Sequence, residues 1–280
     1  MRIFRFQTDL RAYLSDQRNQ GLSIGFVPTM GALHEGHLSL LKTALTQTEI
    51  GVVSIFVNPT QFNDTADLEK YPRTPGADIG LLEAAGCQVL YLPDATDVYD
   101  GRETATADLG GLDAILEGAS RPGHFAGVAQ VVGILLDIVQ PDKLFMGQKD
   151  YQQIQVVNRM LAQRGDGVVL VMCPIVREEN GLAMSSRNRR LSAEGRERAG
   201  QIYRTLQKAA REAVQKELPV IELESREHLD SQPDFTVDYF SFRHPQTLEP
   251  LRHPPADGRM VLVTAVLVEG VRLLDNVLVV

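Results

Sequence analysis

Cysteine is scarce in this chain: only Cys87 and Cys173 occur, far apart and in apolar surroundings. That excludes a disulfide framework and makes both expected reduced core residues. No apolar run is long enough to cross a membrane, and the longest, near residues 128–139, is interrupted by Gln130 and Asp137. The first residues show no basic-then-apolar secretory pattern, so the cytoplasm is the expected compartment, with no membrane partner. Basic residues are in deficit, with 28 Lys and Arg against 36 Asp and Glu and a formal net charge of −8. A nucleic-acid surface shows as a clustered basic excess, so no nucleic-acid partner is expected. Internal repeats and low-complexity tracts are absent as well. At 280 residues the chain has room for one large domain or two smaller ones, each with a real core.

What stands out is a strand that runs through a glycine-containing loop into a helix. Residues 22–27 are apolar, residues 28–37 read PTMGALHEGH, and apolar helical periodicity begins at Leu38. His34 and His37, three apart, are expected on one face of the first turn. A helix N-terminus offers unpaired N–H groups and partial positive charge, which suits nucleotide phosphates. The same field keeps imidazole neutral, so that each ring donates a hydrogen bond to phosphate oxygen. Gly31 lets the backbone turn and a ligand approach closely. A zincin helix needs H-E-x-x-H, a Walker loop needs Gly-Lys-Ser/Thr, and a dinucleotide fold needs G-x-G-x-x-G; none follows this strand. The competing assignment makes His34 a cap of the turn and His37 a packing residue.

The first half of the chain alternates between element types. Strands are expected over residues 22–27, 50–57, 88–92, 143–146 and 168–173, and helices over 38–48, 75–85, 124–139 and 151–164. Strands separated by helices predict an α/β, doubly wound, Rossmann-like parallel sheet. After Pro174 the pattern changes to helices over 192–215 and 220–229 and then strands over 236–242, 260–268 and 271–280. The last two adjoin across Glu269-Gly270, as in an antiparallel hairpin. A boundary is therefore expected near residue 175, with a Rossmann-like domain at 1–175 and a smaller α+β domain with an antiparallel sheet at 176–280.

Open parallel sheets bind ligands beyond the carboxyl ends of their strands. The loop at 28–37 leaves the first strand there and Asn58-Pro59-Thr60-Gln61 the second, while Phe145-Met146-Gly147 delivers Gln148-Lys149-Asp150. Three motifs are thus expected to converge by topology. Gln61 and Gln153 each offer an acceptor and two donors, able to read hydroxyls and a carboxylate without adding charge.

Five blocks follow one another along the chain: PTMGALHEGH at 28–37, SIFVNPTQF at 54–62, LEGASRPGHF at 116–125, FMGQKDYQQ at 145–153 and GLAMSSRN at 181–188. In that order they resemble the pantothenate synthetase (pantoate–β-alanine ligase) family. That family lies within the HIGH-motif nucleotidylyltransferases, which include class I aminoacyl-tRNA synthetases. The chain has neither the length nor the basic patch for an appended RNA-binding domain, so the small-molecule branch fits better.

The resemblance implies ATP with Mg²⁺, pantoate and β-alanine as the small-molecule partners, and a homodimer. It implies an ATP site made of Met30, Gly31, Ala32, Leu33, His34, Glu35, Gly36 and His37, then Gly147, Gln148, Lys149 and Asp150. Val176 is implied as a main-chain contact to adenine, and Met184, Ser185, Ser186 and Arg187 as the counterpart of the KMSKS motif. Gln61 and Gln153 are implied as pantoate contacts, with Gln61 also near β-alanine. His34, His37, Lys149 and Arg187 would be catalytic, and no residue is assigned to a metal. Asp150 is expected to face ribose or Lys149 rather than phosphate. For Glu117, Arg121 and His124 two roles stay open, pocket shaping and dimer contact.

The chemistry so implied needs no protein nucleophile. The pantoate carboxylate attacks the α-phosphorus of ATP, pyrophosphate leaves, and the β-alanine amine attacks the mixed anhydride to release AMP and pantothenate. The second domain is expected to act as a lid carrying the 184–187 loop. Two other classes remain: an adenylyltransferase, which would want extra basic residues for a phosphorylated acceptor, and a nucleotide sensor that forms no pyrophosphate.

Overall fold

Apolar runs that do not alternate with polar residues form strands covered on both faces, as in parallel sheets. Ile50–Ile55 is such a run, buried at every position. The structure, a computed structural model, describes residues 1–62, 68–69, 71–101 and 107–279. It divides into two units, Met1–Gly147 with Gln152–Cys173, and Gln148–Tyr151 with Pro174–Val280. Of the strand expected over 271–280, the last residue lies outside the described residues.

In the first unit the chain runs β1 (Arg2–Phe4), α1 (Gln7–Asn19), β2 (Ile24–Thr29), α2 (Glu35–Gln47), β3 (Ile50–Ile55), α3 (Pro75–Ala84) and β4 (Val89–Tyr91). It continues through α4 (Ala95–Tyr99), α5 (Glu117–Ser120), α6 (His124–Val139), β5 (Lys143–Gly147), α7 (Tyr151–Arg164) and β6 (Val169–Cys173). The strands form one sheet in the order β1-β4-β3-β2-β5-β6, with every pair parallel. From β2 the chain builds β3 and β4 on one side and β5 and β6 on the other. The strand order therefore reverses between β2 and β5, the place where open α/β sheets bind ligands. Val27, Leu41, Val53, Leu82, Leu90 and Phe145 make one core beneath that point.

The doubly wound sheet expected from the sequence is present. Strand β1 and helix α1 had no counterpart in the sequence pattern, and the reason is physical. β1 is three residues long and mostly exposed, and α1 buries only Gln7, Leu10 and Leu14. Cys87 and Cys173 are buried and free, and burial pushes the Cys87 thiol up to about 11.

In the second unit, α8 (Ala193–Glu212) and α9 (Leu218–Asp230) precede β7 (Phe235–Arg243), β8 (Met260–Val268) and β9 (Val271–Val279). The strands form an antiparallel sheet in that order. Ile202, Leu206, Ile221 and Leu229 of the helices share a core with Phe240, Leu262 and Val266 of the strands. Glu269 (φ 50°) and Gly270 (φ 75°) both turn left-handed between β8 and β9, the backbone of a type I′ hairpin. Among the described residues no helix is long and apolar enough to cross a membrane.

Candidate active site

The loop after β2 is locked from behind by a carboxylate. Asp78, on α3 and 2 % exposed, accepts hydrogen bonds from the backbone N–H of Ala32 (3.0 Å) and Leu33 (2.9 Å). The Thr74 hydroxyl donates to it as well, at 3.1 Å. Gly31 (φ 84°) and Ala32 (φ 49°) are both left-handed, a conformation that costs a non-glycine residue about 1–2 kcal/mol. A Cβ on Gly31 would also stand 3.1 Å from both Asp78 Oδ2 and Ile55 Cγ2. The chain thus turns sharply at the sheet's switch point, burying Ala32 and Leu33 and leaving His34 half-buried.

Helix α2 starts at Glu35, earlier than apolar periodicity suggests, because His34 caps it. His34 Nδ1 accepts from the Gly36 N–H at 3.2 Å, and His37 Nδ1 accepts from the His34 N–H at 3.3 Å. The ring centroids lie 4.1 Å apart. A ring nitrogen that accepts carries no proton, so each neutral imidazole holds its proton on Nε2. His34 therefore sits one residue ahead of the helix rather than on its first turn. Capping uses Nδ1 and phosphate donation uses Nε2–H, so the two assignments are compatible.

The turn after β3 is organised by Asn58, which has no exposed surface. Its Oδ1 accepts from the Thr60 N–H (3.3 Å), the Thr60 hydroxyl (3.1 Å) and the Tyr99 hydroxyl (2.5 Å). Its Nδ2 donates to Gln61 Oε1 (3.3 Å) and the Gly127 carbonyl (3.2 Å). Burial pushes the Tyr99 hydroxyl up, so it stays protonated. Gln61 Nε2 lies 2.8 Å from the Met30 sulfur, so the first two motifs meet here. Helix α6 supports this turn: His124 Nδ1 is 2.9 Å from the Gln61 carbonyl. A Cβ on Gly127 would stand only 2.7 Å from the Thr60 carbonyl, so glycine permits the close approach.

Glu117 and Arg121 belong to the same support. Arg121 Nη1 lies 3.5 Å from His124 Nε2. Gln152 accepts from the Glu117 N–H (3.1 Å) and donates to the carbonyls of Leu112 (2.6 Å) and Ile115 (2.8 Å). Gln152 is thereby committed to a loop. Its neighbour Gln153 is half-buried, and its amide makes no hydrogen bond among the described residues.

The second unit holds the remaining motif residues. Lys149 and Asp150 pair at 3.0 Å, so Asp150 faces the lysine. Met184 donates its N–H to the Val176 carbonyl at 2.9 Å, and Arg177 bridges Ala183 across the narrow loop between them. Asn188, 2 % exposed, donates to the Ala183 carbonyl (3.0 Å) and Glu178 Oε1 (2.8 Å). Ser185 Oγ accepts from the Arg187 N–H at 3.2 Å and caps the short turn Ser186–Arg190, which carries Arg187, Arg189 and Arg190. The loop is thus a hydrogen-bonded platform bearing three guanidinium groups. Among the described residues no group of three or more His, Cys, Asp or Glu comes together as a metal site.

Asn58, Asp78 and Gln152 are supporting residues to which sequence reasoning assigned no role, and His124, whose role it left open, joins them. Asn58, Gln152 and His124 lie inside the motif blocks, so their importance had a signal. Asp78 had none, being one acidic residue on an ordinary helix.

Comparison with known proteins bears directly on these blocks. The sequence profile of the pantoate-beta-alanine ligase family matches residues 2–278. The pantothenate synthetase of Cytophaga hutchinsonii is 42% identical over 273 residues, covering 97% of this chain and 96% of that protein. That of Cereibacter sphaeroides is 44% identical over 277 residues, covering 98% of each. A crystal structure of pantothenate synthetase from Thermus thermophilus superposes with a TM-score of 0.90 at 41% identity, covering 99% of each chain. The Francisella tularensis ligase, solved in complex with beta-gamma ATP and beta-alanine, gives 0.80 at 33% identity, covering 99% of this chain and 97% of that one. With motif blocks, doubly wound sheet and full-length similarity in agreement, this chain belongs to the pantoate–β-alanine ligase family.

Proposed function

We propose that this chain condenses pantoate with β-alanine at the expense of ATP, forming pantothenate, AMP and pyrophosphate through a pantoyl-adenylate. It is a ligase of pantothenate biosynthesis, with ATP and β-alanine as substrates, as in the relative solved with both. A carboxylate oxygen of pantoate attacks the α-phosphorus, and the bond to the bridging oxygen breaks as pyrophosphate leaves with the electron pair. The β-alanine amine then attacks the acyl carbon, losing a proton as AMP departs.

The observation that carries this reading is the capped loop at the switch point. It presents two imidazoles protonated on Nε2, and the Gln61 amide reaches Met30 of the same loop. Donors of this kind stabilise the charge that develops on phosphate oxygens. Met30, Gly31, Ala32, Leu33, Glu35 and Gly36 supply the backbone of that cradle, while Gln61 and Gln153 bind pantoate. Gly147, at the end of β5 in the first unit, leads into Gln148, Lys149 and Asp150 of the second; there Val176 meets adenine through its backbone, and Met184, Ser185, Ser186 and Arg187 meet the triphosphate. Mg²⁺ would enter with the nucleotide substrate and supply positive charge that offsets its phosphates. The second unit acts as the lid, the protein works as a homodimer, and the buried free cysteines fit a reducing cytoplasm.

Purified protein given ATP, Mg²⁺, pantoate and β-alanine is expected to release AMP. With pantoate alone it is expected to exchange labelled pyrophosphate into ATP. ADP as product, or exchange that does not need pantoate, overturns the acyl-adenylate.

A further inference from the structure

Strand β9 alternates buried and half-exposed residues from Val271 to Leu274, then buries both Asp275 and Asn276. Successive strand residues point to opposite faces, so two polar side chains are covered on two sides of one strand. Each is held by a segment assigned above to ATP. Asp275, 5 % exposed, takes both ends of the Arg177 guanidinium, at 2.6 and 2.9 Å. Arg177 Nη1 also donates to the Gly181 carbonyl at 3.0 Å. Asn276, 2 % exposed, donates to the carbonyls of Gln148 (3.0 Å) and Lys149 (3.1 Å) and accepts from Gln148 Nε2 (3.0 Å). A further bond of 2.7 Å runs from the Asn276 N–H to Asp275 Oδ1 and joins the two halves.

We infer that Asp275 and Asn276 are positioning residues for catalysis, a polar clasp that fixes the backbone of Lys149 and, through Arg177, the loop from Val176 to Met184. This rests on the assignment of those segments to ATP. A stability role alone explains the arrangement poorly. A buried ion pair is commonly no more stabilising than apolar residues of similar size, and an apolar pair would equally cover β9. Three hydrogen bonds between one amide and one turn, two donated and one accepted, instead specify where that turn lies. The Lys149 ammonium can neutralise phosphate charge only where its backbone puts it, and misplacement by about 1 Å costs on the order of 100-fold in rate.

The test is a double-mutant cycle on pantoate-dependent ATP–pyrophosphate exchange. Asn276→Asp keeps the size of the side chain, removes both donors and sets a carboxylate against two carbonyl oxygens. Its kcat/KM for ATP is expected to fall on the order of 100-fold, with the pantoate KM within about twofold of the parent, because Gln61 and Gln153 belong to the other unit. In a Lys149→Ala background the same change is expected to cost less than about threefold, since coupled residues are not additive. Full additivity, or kcat/KM for ATP near the parent value, overturns the clasp. Asn276→Ser, which adds no charge, replaces Asn276→Asp if the latter lacks a cooperative melt, under the same criteria. If neither folds, the pair is structural and the inference falls. Parent protein without pantoate-dependent exchange rejects the ATP assignment itself, whereas an active parent with an insensitive Asn276 rejects only the clasp.

Discussion

Asp78 makes the sharpest prediction, because its effect on stability and its effect on chemistry are separable. Its carboxylate is buried and accepts two backbone N–H groups from a loop with consecutive left-handed residues. Hydrogen bonds to a charged group are worth about 1.5–3 kcal/mol each. The two use different oxygens of one carboxylate and are not additive, so Asp78→Ala is expected to cost about 3 kcal/mol. At roughly 2–4 °C per kcal/mol for a unit of this size, the thermal midpoint should drop by about 6–12 °C. Asp78→Asn keeps one acceptor but turns an amide donor toward a donor, and should fall in between. Freed from the carboxylate, Ala32 is expected to leave its left-handed conformation and carry His34 with it. Pyrophosphate exchange per folded molecule should then fall on the order of 100-fold. Ala32→Gly, which removes the conformational cost, should recover part of both losses in the Asp78→Ala protein. Circular-dichroism melts and exchange assays below the midpoint read the two effects. An Asp78→Ala protein with unchanged melting would refute the hydrogen-bond accounting, and one that melts early yet exchanges at full rate would refute the link to His34.

The other expectations concern residues that the proposed function assigns to substrate. His34→Asn retains a capping acceptor but loses the Nε2–H, so exchange should fall 10²–10³-fold with a midpoint within a few degrees of the parent; His37→Ala should act similarly, and a full rate in either would leave the pair as caps only. Gln153→Ala should raise the pantoate KM by about 1–3 kcal/mol in free energy, roughly 5- to 150-fold, with the ATP KM near normal. Gln61→Ala should do the same with a small loss of stability, since Asn58 Nδ2 donates to its side chain; a collapse of ATP affinity would move both glutamines to the nucleotide. Proteolysis within residues 181–190 should slow when ATP and pantoate are present together, and Arg187→Ala should weaken that protection; equal cleavage with and without ligands would make the loop a plain turn.

Much of the candidate site was readable from residues because its chemistry lies in short contiguous motifs. Histidines around a strand-to-helix loop, a Ser-Ser-Arg segment and glutamines beside strand ends carry their donors wherever the chain folds. Boundaries set by strong local causes were equally legible. Helices α6 and α7 span the expected residues because Pro141 follows the first and apolar periodicity fills both. Strand β8 does so because nine apolar and β-branched residues end at the Glu269-Gly270 turn. The start of α2 was misplaced, because its cap is an imidazole rather than the usual Ser, Thr, Asp or Asn.

By itself, then, the sequence determined most of the elements and their order, β1 and α1 excepted, and which side chains carry donors and acceptors suited to phosphate or to hydroxyl and carboxylate groups. Only the tertiary structure decided what holds those side chains in place. Asp78 reaches Leu33 and Ala32 across 45 and 46 positions of the chain, Asn58 meets Gly127 across 69, and Asn276 grips Gln148 and Lys149 across 128 and 127. Such partners share no period and no motif. They become neighbours only when strands and helices pack, because burial then leaves backbone N–H and C=O groups that must find an acceptor or donor nearby.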